Sequence, residues 1–333
     1  MKKTHKQIPQ PIRVYRGHSE SISSVRFISD NTIFASGSND GEIRIWKSQS
    51  NQLVSIINSN SKKGILHIEK IDSSSFATQS RDGVIKLWNC ENSDFISNFE
   101  FQTNSKFSFC KFSLSLDFSS LAIPSENPDE IELFDFKSGK KISKMQTEKS
   151  GMCMTLGFLK DQLFAGFENG KLYGFDTRML SEDFIQPVSS LSCFEQPFLS
   201  LAISQKYETI FTGSVDPKFL LVQVSSENIS QKDPFSDEKG GLILKDEIQL
   251  GHEGTSEICL RNDDQIFAFC GWDKRIRVFQ FKNKTPKPLA ILKFHTETVN
   301  SIHFSEDLLN GYLLAGSKDK KITLWQLYPK RKK

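Results

Sequence analysis

The chain of 333 residues is 37% hydrophobic and 25% charged, and its 43 basic side chains against 40 acidic ones leave a formal net charge of +3. That composition belongs to a folded globular protein, and so even a charge balance is no electrostatic footprint for nucleic acid or a membrane surface. Its six cysteines, at positions 90, 110, 153, 193, 259 and 270, include no CxxC pair, which argues against a zinc or redox motif and for reduced, mostly buried thiols in an intracellular protein.

In chain order, residues 1–10 form a charged lead without the apolar run of a secretory signal, and no later window is long and apolar enough to span a bilayer. Ile12-Arg13-Val14-Tyr15 reads as a short strand with no partner of its own. From there a pattern repeats. An apolar strand, Ile22 to Phe27, precedes a second run ending in the small pair Ala35-Ser36, then a tight turn at Asp40-Gly41, then the alternating strand Ile43-Arg44-Ile45-Trp46. That is a hairpin behind an inner strand. It recurs as TQSRDGVIKLW ending at Trp88, SENPDEIELF at Phe134, AGFENGKLYGF at Phe175, TGSVDPKFLLV at Val222, CGWDKRIRVF at Phe279 and AGSKDKKITLW at Trp325. The matching inner strands are expected at Ile65 to Ile71, Phe107 to Phe112, Met152 to Phe158, Phe198 to Ile203, Ile258 to Leu260 and Val299 to Phe304.

Seven copies at a period of about 45 residues signal a propeller with four strands per blade. One such sheet cannot bury both faces, so neighbours stack, and the bulky residue closing each third strand fills the gap between them. The lone strand at 12–15 and the seventh copy can complete one another. The predicted fold is therefore all-β: a single seven-bladed β-propeller over residues 11–328, closed by the N-terminal strand within the C-terminal blade, with a flexible lead at 1–10 and a basic tail at 329–333. Residues 225–241 are rich in Ser, Asp, Glu, Lys and Gly and read as an extended surface loop between the third and fourth strands of the fifth blade. A linker between two domains is the rival reading, and the repeat resuming in phase argues against it.

Gly17-His18, the Asp turns and Trp46, Trp88 and Trp325 resemble the WD-repeat family, in which a His, a Ser or Thr, the turn Asp and the strand-end Trp form a buried hydrogen-bonded tetrad. The resemblance assigns a full structural tetrad to the first copy, His18, Ser36, Asp40 and Trp46. Partial ones follow: Thr78, Asp82 and Trp88; His252 and Asp273, beside Phe269 and Phe279; and His295, Asp319 and Trp325, where Ala315 replaces the hydroxyl residue. The ending LLAGSKDKKITLWQLYP, with GWDKRIRVF and LAILKFHTETV ahead of it, is similar to that of the G-protein β-subunit-like protein 1 family, whose fungal members are called ASTRA-associated protein 1. This implies a non-catalytic adaptor that works with the TTT co-chaperone in maturing phosphatidylinositol-3-kinase-related kinases, and in fungi a subunit of the chromatin-linked ASTRA assembly. It also implies a cytoplasmic and nuclear location.

Catalytic constellations are not recognisable. His18, His252 and His295 each precede an inner strand, so a structural hydrogen bond to the turn Asp is expected rather than metal or general-base chemistry, while His5, His67 and His303 form no cluster. GHEGTS at 251–256 lacks the Lys and the strand-to-helix context of a P-loop. No enzyme activity, cofactor, metal or small-molecule substrate is expected, and direct nucleic-acid binding has no support in the charge.

Partners are expected to be proteins. With the turn Asp aimed into the sheet, the residue before it should face outward on the rim: Asn39, Arg81, Glu168, Val215, Trp272 and Lys318, with Arg275 and Arg277 following Trp272. Trp and Arg are enriched at binding hot spots, so this ring face is the candidate partner-binding surface. A second reading of Trp272 stays open: folded over Phe269, it would plug a blade whose third strand ends in Phe279. An alternative function, substrate receptor of a cullin-type ubiquitin ligase, rests on Phe175-Asp176-Thr177-Arg178, an imperfect copy of the Trp-Asp-x-Arg that ends a strand in such receptors. A true G-protein β subunit would need a long N-terminal helix, for which the lead is too short. Lys330-Arg331-Lys332-Lys333 reads equally as a nuclear address or a solvated end.

Overall fold

The computed structural model describes residues 9–29, 32–58, 63–91, 94–104, 108–179, 184–225, 241–282 and 285–329. All its named elements are strands, and they form seven four-stranded antiparallel sheets. Blade 1 runs from its inner strand Ile22–Ser29 to its outer strand Leu53–Asn58, blade 2 from Ile65–Lys70 to Asp94–Gln102, and blade 3 from Ser113–Leu114 to Lys141–Gln146. Blade 4 runs from Cys153–Leu159 to Ser189–Ser192, blade 5 from Phe198–Ser204 to Leu242–Gln249, and blade 6 from Thr255–Leu260 to Thr285–Lys293. Blade 7 takes three strands, Val299–Phe304, Tyr312–Ser317 and Lys321–Gln326, from the far end of the chain, and its outer strand is Arg13–Arg16. The seven-bladed propeller and its closure by the N-terminal strand are as the repeats require.

Arg13 faces Leu324 and Arg16 faces Lys321 across that closing ladder. Tyr15 is buried there at 2% exposure, edge-on to Phe34 at 4.8 Å and to Trp46 at 5.7 Å, so one side chain joins the borrowed strand to the next blade. Seven apolar clusters fill the seven gaps between neighbouring sheets. Each aromatic buried in a gap contributes roughly 1.5–3 kcal/mol. The third and outer strands carry a β-bulge beside the strand-end residue in five blades, at Trp46, Trp88, Phe134, Val222 and Phe279. A bulge bends and twists the strand locally, in register with the side chain that enters the gap.

Where blade 6 lacks a strand-end Trp, phenyl rings stand in. Phe219 stacks on Phe267 and on Phe269, and each of these stacks on Phe279, with centroids 4.9 to 5.6 Å apart. Phe is still the smaller ring, and a groove remains outside Phe279 between Leu250, Pro288 and Ile291.

Blade 3 departs from the sequence reading. Phe107 to Phe112 was expected as its inner strand, yet that strand is only Ser113–Leu114, and residues 108–112 are irregular. Its missing ladder is replaced by one side chain: the buried amide of Gln79 in blade 2 donates to Cys110 O at 3.1 Å and accepts from Phe112 N at 2.9 Å. A carboxamide carries the donor and acceptor of a peptide unit, so it can satisfy both backbone groups at once. Residues 226–240, most of the expected loop, lie outside the described residues, as do 1–8 and 330–333; Ser225 N donates to Gly241 O at 2.8 Å, and the strands Lys218–Val224 and Leu242–Gln249 on either side pair in one sheet.

Candidate interaction surface

One backbone hydrogen bond recurs around the ring and builds the rim. The residue before the turn Asp, or its counterpart, donates its N–H to the carbonyl just ahead of the inner strand of its own blade: Asn39 to Ser21, Arg81 to Gly64, Glu168 to Met152, Val215 to Pro197, Trp272 to Gly254 and Lys318 to Thr298. These six positions therefore share one face. Asn39, Glu168, Trp272 and Lys318 are exposed, whereas Arg81 and Val215 are half-buried.

Beneath the rim, the histidines behave differently from blade to blade. In blade 1 His18 Nε2 lies 2.7 Å from Ser36 Oγ, which also accepts from Trp46 Nε1 at 2.9 Å. The turn Asp40 is bound by Ser19, by Ser38 and by the N–H of Glu42, and not by His18. Burial and the nearby Arg44 lower the His18 pKa from 6.5 to about 4, so the ring is neutral. In blade 2 Trp88 Nε1 donates to Thr78 Oγ1 at 2.9 Å and Asp82 accepts from Val84 N.

Blade 7 has the full chain that blade 1 was expected to have. His295 Nδ1 lies 3.0 Å from Asp319 Oδ2, and its Nε2 lies 2.9 Å from Thr323 Oγ1, which also accepts from Trp325 Nε1 at 2.9 Å. Thr323 pairs directly opposite Ala315 in the ladder, so the hydroxyl missing from the second strand is returned by the third. In blade 6 the expected bond from His252 to Asp273 is absent. Arg277 takes that carboxylate with two hydrogen bonds, of 3.1 and 2.7 Å, and its guanidinium lies over Phe269. Burial alone would raise the Asp273 pKa; the paired Arg277 outweighs it and holds it below the usual value. Arg277 was expected on the rim and is turned inward instead, its side chain only 12% exposed.

Trp272 does not plug its blade. It is 46% exposed and makes no ring contact with Phe269; its indole lies against Gly254, where an added Cβ would fall 2.1 Å from Trp272 Cδ2. Gly254 has φ +76°, so both the backbone and the close approach require glycine. On the same face two further apolar side chains stand free: Phe109, 62% exposed with the Arg81 guanidinium 5.4 Å from its ring, and Met152. Sequence reasoning missed Phe109 because it assigned that segment to a strand.

The residue after the turn Asp also varies. Gly41 and Gly83 there have φ +86° and +84°, and Gly170, after Asn169, has +75°; blades 6 and 7 place Lys274 and Lys320 in the same left-handed region, at +69° and +66°. A side chain there costs roughly 1–2 kcal/mol per residue.

At the opposite end of the third strand of blade 4, the Arg178 guanidinium is 69% exposed and grips Asp176 through bonds of 2.9 and 2.6 Å. Among the described residues no group of three or more His, Cys, Asp or Glu side chains is placed to hold a metal ion, and no helix is long and apolar enough to cross a membrane.

Residues 9–47 and 286–326, which hold the complete first hairpin and the last, match the family described as WD domain, G-beta repeat. Both segments carry WD repeats. The chain is 29% identical to guanine nucleotide-binding protein subunit beta-like protein 1 of Mus musculus, over 96% of the chain and 97% of that relative. It is 24% identical to ASTRA-associated protein 1 of Schizosaccharomyces japonicus over 96% and 100% of the two chains, and 26% identical to that of Schizosaccharomyces pombe over 96% and 88%. The likeness first read from the ending LLAGSKDKKITLWQLYP thus runs through the middle blades, where spacing was the only sequence signal.

Proposed function

We propose that the protein is a non-catalytic scaffold that joins other proteins through the rim face, and that it serves as a co-chaperone partner in the maturation of phosphatidylinositol-3-kinase-related kinases within a TTT or ASTRA-type assembly. The observation that carries the scaffold reading is Trp272, a large aromatic left half in solvent yet seated against a glycine on a rigid turn. A preorganised aromatic loses little freedom on binding, and one such residue can supply 2 kcal/mol or more of affinity. The kinase-maturation reading is supported by relatives named ASTRA-associated protein 1 that match nearly the whole chain. It places the protein in the cytoplasm and at chromatin in the nucleus. Affinity capture from the source cell tests it: recovery of TTT components and kinases of this class is expected, and their absence from every preparation sinks it.

One feature favours a second reading. The exposed Arg178, aligned by Asp176, stands where a ubiquitin-ligase receptor would present its terminal Arg. If that reading holds, Arg178→Ala abolishes binding to a cullin adaptor; unchanged binding removes it.

A further inference from the structure

We propose that the adjoining turns of blades 6 and 7 form a docking site for an acidic segment of a partner protein, one that brings carboxylates on either side of an apolar anchor onto Trp272. The proposal rests on the scaffold reading and names the chemistry of its partner.

Four exposed basic residues lie in these two turns: Lys274 and Arg275 in blade 6, the turn that carries Trp272, and Lys318 and Lys320 in blade 7. The other charges of these turns are already engaged inside the blades, Asp273 by Arg277 and Asp319 by His295. No side-chain partner of Lys274 or Lys318 appears among the described residues, and Arg275 reaches Asp273 only at 3.9 Å. Lys320 hydrogen-bonds Ser19 O and lies 3.8 Å from Glu20. The exposed acids nearby are Glu253, Glu297 and Glu20.

Backbone strain argues for the same site. Lys274 and Lys320 occupy equivalent left-handed positions that glycine fills in blades 1, 2 and 4. Folding alone favours glycine there. Two lysines held against that preference at equivalent turns of neighbouring blades, one of them two residues from the exposed Trp, indicate that their charge is used. Glu253 and Glu297 on the same face disfavour a continuous phosphate backbone, whereas a peptide can space its carboxylates around them. A segment with an apolar side chain between acidic ones suits a single indole with cations in its own turn and in the turn of the next blade.

The test is panning of a random peptide library displayed on phage against the whole protein, with affinities of selected peptides measured by fluorescence polarisation. Selected peptides should carry acidic residues flanking an apolar one, and their affinity should fall at least about tenfold on Trp272→Ala. Gly254→Ala should cause a similar loss with a red shift in tryptophan emission, because the indole leaves its seat. The decisive variant is Lys274→Gly with Lys320→Gly: it should melt no lower than the parent yet bind these peptides several-fold more weakly, with less dependence on salt. Peptides without acids, acidic peptides held equally by every variant, failure to enrich any peptide, or stronger binding of single-stranded oligonucleotide at this face would each overturn the proposal. Capture from cells separates this from the scaffold reading: partners retained in full by Trp272→Ala sink the site alone, whereas a parent protein that captures nothing sinks the scaffold.

Discussion

The phenol of Tyr15 donates a 2.5 Å hydrogen bond to the carbonyl oxygen of Ser48, so a residue in the borrowed outer strand of blade 7 is fastened to the turn that follows the third strand of blade 1. Burial pushes the phenol pKa well above its ordinary value, keeping the donor protonated. Tyr15→Phe keeps the packing and loses the bond, and is expected to cost about 0.5–1.5 kcal/mol. Tyr15→Ala also empties a contact shared by Phe34 and Trp46 and is expected to cost about 3–5 kcal/mol. Urea titrations of the two variants check both values; equal small losses would mean that the seam does not depend on this side chain.

Thr323, on the third strand of blade 7, stands in for a hydroxyl that the repeat normally places on the second. Thr323→Val leaves His295 Nε2 and Trp325 Nε1 buried without partners, at an expected cost of about 1–3 kcal/mol. Adding Ala315→Ser supplies the hydroxyl from the directly opposed position, as Ser36 does in blade 1, and should recover part of the loss. A double-mutant cycle over these positions should therefore show coupling. Strict additivity would contradict the substitution of one hydroxyl for the other.

Acid should destabilise the ring in two stages. Between about pH 6.5 and about pH 4 the unfolded chain binds a proton at His18 that the folded chain refuses, so unfolding gains as pH falls. Burial lowers the pKa of His67 and His303 too, which adds to the same slope. For Asp319, burial pushes the carboxyl up but the bonds from His295, Thr296 and Lys321 prevail, giving a value of about 2. Its stabilisation is present above 3.8 and is lost as pH falls through about 2. Denaturation midpoints measured from pH 7 to pH 4 should decline steadily, and His18→Asn should flatten the decline by roughly 3 kcal/mol. An identical slope in the variant would rule out His18 as its source.

Gln79 takes the place of a ladder. Gln79→Leu should expose its loss in one place, with amide exchange at Phe112 accelerating while exchange in blades 5 to 7 stays at parental rates, and with a global cost of about 1–3 kcal/mol. Uniform acceleration across the chain would mean that the amide serves general packing instead.

How far the sequence could be read depends on how each interaction repeats. Period and hairpin turns recur in every blade, and strand-end aromatics in all but the fifth, which ends in Val222, so Trp46, Trp88 and Trp325 located their sheets, and the unpaired strand at Tyr15 pointed to its partner. Compensations do not recur. Thr323 for Ala315, Arg277 for His252 and Gln79 for an inner strand each occur once, and each moves a polar group to a different strand or blade from the one where a repeat would place it. Phe109 was hidden for the same reason, since only the loss of regular pairing at 108–112 frees its ring to face solvent. Trp272 was visible as an anomaly in a turn, but its seat was not, because Gly254 is remote in the repeat pattern and leaves no mark except by being a glycine.

Ring closure also imposes an order of events during synthesis. Arg13–Arg16 leaves the ribosome before the other strands of the propeller and its partner Lys321–Gln326 after them. At translation speeds of about 5–20 residues per second the early strand waits on the order of tens of seconds, presenting Tyr15 and an unpaired edge to the crowded cell. The nascent chain is therefore most prone to stray pairing, and most in need of a holding chaperone, during the interval before its last hairpin appears.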